Sequence, residues 1–473
     1  MRQKLKLKSF PVALSIKKII GPSFVILALG LGSGEVILWP YLVSNYGLGI
    51  AWGAVLGITF QFFINMEIER YALVKGESVF VGIAKLFPRA VYWFIISTFI
   101  GFGLPGIIAA SAQVLGSILG IENFKWIAIG MLLIIGLFLS GGKTVYDSME
   151  KITKYIILFG VPFIFVLAVV LSSGNDWSAA AAGLIGKGQG FWFLPPGISL
   201  ATFFAAFAYS GAGGNLNLTQ SIYIKEKGYG MGKYAQKIVG LFRGHDKTIQ
   251  EIKLGGEEFE INTVNVKNFK VWWRTINLEH LIVFLLIGAV AMVLLMLLSF
   301  TSTYGLAGNA QGINFVISEG KIIGERLWPT IGSLFLIVVS IMLFQTQLGI
   351  MDSTSRIMAE NLAIAELNKS KNKKINLSKI YYRFLWAQII FGIILFLLNI
   401  YEPKTLIVLG AVINAFAMIV HIGLVAWLNH KSLHPMVRPG LVRTVIITMI
   451  FLFFGIFSTV VLLDKLGLFN IKI

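Results

Sequence analysis

Apolar stretches of bilayer length recur along this chain, separated by polar connections. Runs of roughly 17–25 mainly apolar residues, the length a helix needs to cross the hydrocarbon core, begin near Pro22, Gly47, Val91, Trp126, Tyr155, Leu194, Leu278, Thr330, Phe384, Thr405 and Val445. They predict an all-α membrane protein of about eleven transmembrane helices. Two of the runs are interrupted. The first carries Gly32-Ser33-Gly34-Glu35 at mid-depth, and the sixth carries Gly211-Ala212-Gly213-Gly214-Asn215. Five segments separate the two interruptions. An odd number of helices per repeat inverts the second copy, so the spacing predicts two inverted five-helix repeats plus one extra helix, with a binding site where the broken helices meet.

Glycine lowers helix stability by about 1 kcal/mol relative to alanine, and backbone groups freed at a break cannot face lipid. They must line an enclosed cavity. Gly34, Gly211, Gly213 and Gly214 are therefore read as hinges, and Gly32, Ser33, Glu35, Tyr209, Ala212 and Asn215 as substrate-contacting residues. Ser33 is expected to cap the outer half-helix, with Glu35 in its first turn. Gly49, Gly53 and Gly57, four apart on one face of helix two, are read instead as a close-packing surface. The run Gly30-x-Gly32-x-Gly34 lacks the preceding strand that a dinucleotide loop requires.

Composition supports the membrane reading. Of 473 residues, 56% are hydrophobic and 13% charged, and the mean hydropathy is +0.81, too little polarity to cover a water-soluble globule of this size. The net charge of +18 at first suggests nucleic acid, but its distribution does not. With the N-terminus inside, cytoplasmic loops collect 31 of the 40 Lys and Arg. Only Lys125, Lys187, Lys321, Arg326, Lys404, Lys465 and Lys472 fall outside, with Arg356 and Arg383 near helix ends. This positive-inside bias predicts a cytoplasmic N-terminus and an outer C-terminus. The basic Met1–Lys18 segment leads into a retained first helix rather than a cleaved signal. Cysteine is absent, which excludes thiolate ligands and a catalytic thiol.

Several short stretches resemble a known family. "ERYALVKGESV" (Glu69 to Val79) resembles the segment after helix two in the Nramp metal-ion transporters, with Arg70 and Gly76 in matching places. "AQVLGSIL" (Ala112 to Leu119) resembles the family's helix three. "AGGNLNLTQS" (Ala212 to Ser221) falls where the family has Met-Pro-His-Asn, and Gly32 to Glu35 falls where it has Asp-Pro-Gly-Asn. The resemblance implies the LeuT-type inverted-repeat fold and metal-ion transport. It also implies an altered site, because the family's metal-binding Asp, Asn and Met positions hold Gly32, Glu35 and Ala212. What remains is an all-oxygen set of Glu35, opened carbonyls and the Asn215 amide, with Glu35 and Asn215 as metal ligands. Such ligands suit hard ions. The proton-route positions read Ala110, Gln113 and Gly214, so family-type proton coupling is not expected.

A buried carboxylate at mid-membrane costs roughly 2.5–3.5 kcal/mol on insertion scales. Glu35 therefore needs a cation, an amine, a proton or nearby N–H groups. Gln345 in helix eight and Asn414 in helix ten are further candidates for the site. Asp352 is read as the partner of Arg356, and Glu67 and Glu69 as salt-bridge partners of Arg70. His421 is read as a hydrogen-bonded core residue. His430 and His434, four apart, straddle an interfacial loop and read poorly as a metal pair. Within a transporter domain over 1–463, residues 225–277 form a cytoplasmic insert. Alternation around Gly255-Gly256 predicts a small β-hairpin there, and Trp272 and Trp273 are expected to anchor helix seven at headgroup level.

The sequence thus predicts a secondary transporter of a divalent cation working by alternating access, not an enzyme and without a cofactor. Its partners are the bilayer and a small cation or small molecule, not nucleic acid. A prokaryotic plasma membrane fits the absence of organelle signals. The alternatives are an organic solute carrier for an amino acid or amine, and a non-transporting membrane sensor.

Overall fold

The computed structural model describes residues 7–15, 23, 26, 27, 30, 32–141, 144–236, 253–370 and 375–466. The start of helix one near Pro22 and the centre of the 225–277 insert lie outside the described residues. Among the described residues, seven helices are long and apolar enough to cross a membrane unaided, and an eighth span is bent. The sequence's other spans are those the fold shortens or breaks. Helix four, Lys125–Ser140, is short, and helices one and six are interrupted. The chain is an integral membrane protein.

Helix two is Ala51–Lys75, closed by Gly76 in the left-handed conformation. Helix three is Ala90–Phe102 continued by Gly106–Leu119, with Pro105 at the joint. Helix five, Thr144–Leu171, contains Pro162. At its end the chain bends by 117° into Gly174–Leu184, which starts with a capping box between Ser173 and Asp176. Helix seven runs from Thr263 to Thr303 through a π-helical turn at Leu281–Leu286. Helices eight to eleven are Pro329–Lys369, Leu377–Leu397, Pro403–Ser432 and Leu441–Lys465.

Helix eight packs along helix three, and helix ten against helices three and six, so the broken elements sit at the centre of the bundle. The glycine face of helix two behaves as its spacing predicts. A side chain on Gly53 would strike Phe203 and Trp39 at 2.8 Å, and one on Gly57 would strike Ser210 at 2.6 Å.

Two local expectations are corrected. Residues 262–273 are not an arm of a hairpin. Asn262 caps a helix from Thr263 by accepting from the Asn265 N–H, and the stretch is long enough to continue the apolar helix seven. Among the described residues, the β pairing nearby is one bridge between Lys8 and Phe259. Trp272 is not an interfacial anchor either, because it is buried and its indole N–H donates to the Pro11 carbonyl at 3.1 Å. Trp273 lies beneath the guanidinium groups of Arg70, at 3.9 Å, and Arg443, at 4.8 Å.

Candidate functional site

The two glycine clusters meet. Helix one resumes after Gly32 as a π-helical turn, Ser33–Leu38, and continues as Trp39–Tyr46. Helix six stops at Ala208, unwinds through Tyr209 to Gly213, and resumes as a 3-10 turn, Gly214–Leu218, before Thr219–Lys227. Gly211, Gly213 and Gly214 have φ of +104°, +66° and +54°, values that other residues adopt only with strain. The crossing is glycine against backbone. A side chain on Gly34 would fall 2.1 Å from the Tyr209 carbonyl oxygen, and one on Gly30 would fall 2.8 Å from Gly211. Gly32 meets the side chain of Thr346 on helix eight in the same way. Close packing and a break in the helix therefore coincide here.

Several of the groups freed by the break are hydrogen-bonded across it. Glu35 Oε1 accepts the Gly211 N–H at 2.7 Å, tying helix one to helix six. Gln61 of helix two spans the rest of the gap. Its amide donates to the Ala208 carbonyl at 2.8 Å and accepts the Gly213 N–H at 2.9 Å. Trp39 donates to Ser210 Oγ at 2.9 Å. Gln61, Trp39 and Ser210 were not singled out from the sequence. A lone Gln within "ITFQFF" was the available signal for the first. Ser33 is buried but makes no capping hydrogen bond, and Gly32 occupies the N-cap position. Glu35 does lie in the first turn.

Several buried oxygens around the junction have no partner in the structure. Glu35 Oε2 is one. Asn215 donates to Ser97 Oγ at 2.8 Å and Thr98 Oγ1 at 2.9 Å on helix three, which leaves its Oδ1 unpartnered. Asn414 donates to the Gly101 carbonyl and the Tyr209 hydroxyl, both at 2.9 Å, and its Oδ1 is likewise unpartnered. Gln347 Oε1 makes a fourth. Tyr209 and Gln347 line a cavity of about 10 Å³ with Gly101, Phe102, Ile407 and Gly410, room for about one water. Ala212 and Gln345 are buried in their elements. Asn217 and Gln220, present in the quoted helix-six stretch but not singled out, also have buried, unpartnered amides.

Other expectations resolve away from this junction. Arg356 donates to Asp352 at 2.9 Å, and Tyr381 donates to the same carboxylate at 2.7 Å, as the pairing of Asp352 with Arg356 predicted. Arg70 pairs with Glu67 at 2.8 Å, but Glu69 turns instead to His280 at 3.4 Å. His421 is fully buried with neither ring nitrogen hydrogen-bonded, so its role as a hydrogen-bonded core residue is corrected. His430 bonds Ala426 and Thr444, while His434 accepts from the Met436 N–H. Among the described residues no group of three His, Asp or Glu side chains is placed to hold a metal ion.

No family model matches the sequence, and no curated protein matches it by sequence search. Solved structures do match. A manganese transporter from Eremococcus coleocola superposes with a TM-score of 0.69 at 11% identity, over 96% of this chain and 88% of that one. MhsT, solved with L-phenylalanine, gives 0.55 at 13% identity over 94% and 98%. Mhp1, a nucleobase-cation-symport-1 family transporter, gives 0.51 at 10% identity over 97% and 96%. The motif resemblance to the Nramp transporters and these superpositions agree at the level of fold: the chain has the LeuT-type architecture of two inverted five-helix repeats with broken helices one and six, followed by one extra helix.

Proposed function

We propose that this protein is a secondary transporter that moves a small hard cation by alternating access around the breaks in helices one and six. Glu35 and Asn215 act as oxygen ligands, with the Asn414 and Gln347 amide oxygens near the same junction. The observation that carries this reading is the Glu35 carboxylate. One of its oxygens is held by Gly211 at the contact of both hinges, and the other is buried without a partner. A buried carboxyl whose second oxygen meets no side-chain donor offers a ligand to a cation that enters between the two broken helices. The unpartnered amide oxygens of Asn215, Asn414 and Gln347 are acceptors of the same kind.

A space of about 10 Å³ beside Tyr209 and Gln347, next to the junction, admits a water or a bare ion. The family's proton-route positions hold Ala110, Gln113 and Gly214, so the cation moves without that route. The charge bias supports a cytoplasmic N-terminus and insert and an outer C-terminus, in the plasma membrane of a prokaryote.

Uptake of manganese, magnesium and calcium into proteoliposomes, measured beside a panel of amino acids and amines, tests the reading. Entry of at least one ion above the empty-liposome rate is expected. Uptake of an amino acid or amine with no ion movement would replace the cation by an organic solute.

A further inference from the structure

Away from the hinge junction, where helices two, seven, ten and eleven meet, two arginines share one buried carboxylate. Arg70 grips Glu67 through Nε at 2.8 Å and Nη2 at 3.2 Å, and its Nη1 donates to the Val437 carbonyl at 3.1 Å. Asn429 donates to the same carboxylate at 3.2 Å. Arg443 of helix eleven reaches Glu67 Oε1 at 3.3 Å, and its other amino group donates to Asn277 Oδ1. Among the described residues, Glu67 is the one carboxylate paired with either arginine. Two positive charges against one negative leave a surplus of one. It falls on Arg443, because Arg70 already holds both oxygens of Glu67. Of the five N–H groups of a guanidinium, these contacts commit two on Arg443 and leave three.

Beside Arg443 is a cavity of about 230 Å³, lined by Glu67, by Ala426, Trp427 and His430 of helix ten, and by Thr444 and Ile447 of helix eleven. Helix ten ends at Ser432 and helix eleven starts at Leu441, so these residues lie close to the helix ends, where headgroups meet hydrocarbon. Trp427 suits that depth. Trp427 and His430 each keep an exposed side, so the cavity is not sealed, and Leu441, Val442 and Met449 are exposed apolar side chains on the same helix as Arg443.

We infer that this cavity binds an anionic phospholipid, with its phosphate on the uncommitted N–H groups of Arg443 and the start of an acyl chain against Trp427 and Ile447. A phosphodiester carries the single negative charge that the arginine pair lacks, and a guanidinium matches phosphate oxygens two at a time. The apolar wall selects a lipid over a free anion, because the exposed face of helix eleven already lies among acyl chains.

Native mass spectrometry of the full chain in detergent tests the inference. The protein is titrated with phosphatidylglycerol, or with phosphatidylcholine of the same acyl chains, whose choline cancels the phosphate charge. The first phosphatidylglycerol should bind at least about fivefold more tightly than the first phosphatidylcholine, the worth of one basic residue facing an anionic lipid. Arg443→Gln should abolish that preference. Glu67 keeps Arg70 and Asn429 in this variant, so no carboxylate is stranded. If Arg443→Gln does not fold, Thr448→Trp fills the cavity from another of its lining positions, leaves both arginines in place and should abolish the preference equally. Equal affinity for the two lipids in the parent, or a preference that survives either substitution, overturns the inference. No transported solute enters the assay, so its outcome is independent of what the carrier moves.

Discussion

Substituting Gly34 by alanine tests whether the two broken helices meet as tightly as the function requires. The added Cβ would lie 2.1 Å from the Tyr209 carbonyl oxygen and 2.7 Å from its carbon, backbone atoms that cannot rotate away. Ordinary contact begins near 3.4 Å, so helix one and helix six must separate by about 1.3 Å. That displacement stretches the 2.7 Å bond from the Gly211 N–H to Glu35 Oε1 to roughly 4 Å, beyond hydrogen-bonding range. Overpacking costs about 1–3 kcal/mol, and losing a hydrogen bond to a charged group costs about 1.5–3 kcal/mol. Gly34→Ala should therefore lose about 2.5–6 kcal/mol. The assay is thermal unfolding in detergent, with Gly130→Ala as the control. Gly130 lies in helix four, and a side chain there would meet nothing within 4 Å, so the control should be neutral or slightly stabilised. Equal melting temperatures for Gly34→Ala and the control would refute the close crossing and the tie through Glu35.

Two further substitutions probe the scaffold. Gln61→Leu strands the Ala208 carbonyl and the Gly213 N–H, at about 1–3 kcal/mol each, and should speed amide exchange across residues 208–214 while helix two stays protected; unchanged exchange would mean that Gln61 does not bridge the break. Arg356→Met leaves the Asp352 carboxylate buried beside Tyr381 and should cost about 3–5 kcal/mol, with Asp352→Asn in the same chain recovering at least half by denaturation; no recovery would show that the loss is one of packing rather than of charge.

The backbone plan was legible because its signals are local. Apolar runs give the spans, and glycine clusters beside Glu35 and Asn215 give the breaks. The Asp352–Arg356 pair was legible too, since four residues on a helix bring side chains together. Partners from distant segments were not. Gln61 reads as one polar residue in an apolar run until helix two is laid against Ala208 and Gly213. Glu69 sits beside Arg70 in sequence, yet its face of helix two points to His280 on helix seven. The misread hairpin has the same origin, because alternation over 262–273 is weaker than the helical continuity imposed by the apolar segment that follows. Ser33 failed as a cap because the π-helical turn begins at Ser33 itself and leaves Gly32 as the boundary residue.

The most direct test of the central claim is ion binding and uptake by Glu35→Gln. The glutamine oxygen can still accept the Gly211 N–H, so the tie between the broken helices survives while the negative charge is lost. The account predicts a protein that folds and melts like the parent but neither binds nor takes up the ion the parent transports. Parental uptake by Glu35→Gln would contradict it, and would leave Glu35 as a structural clasp between helices one and six.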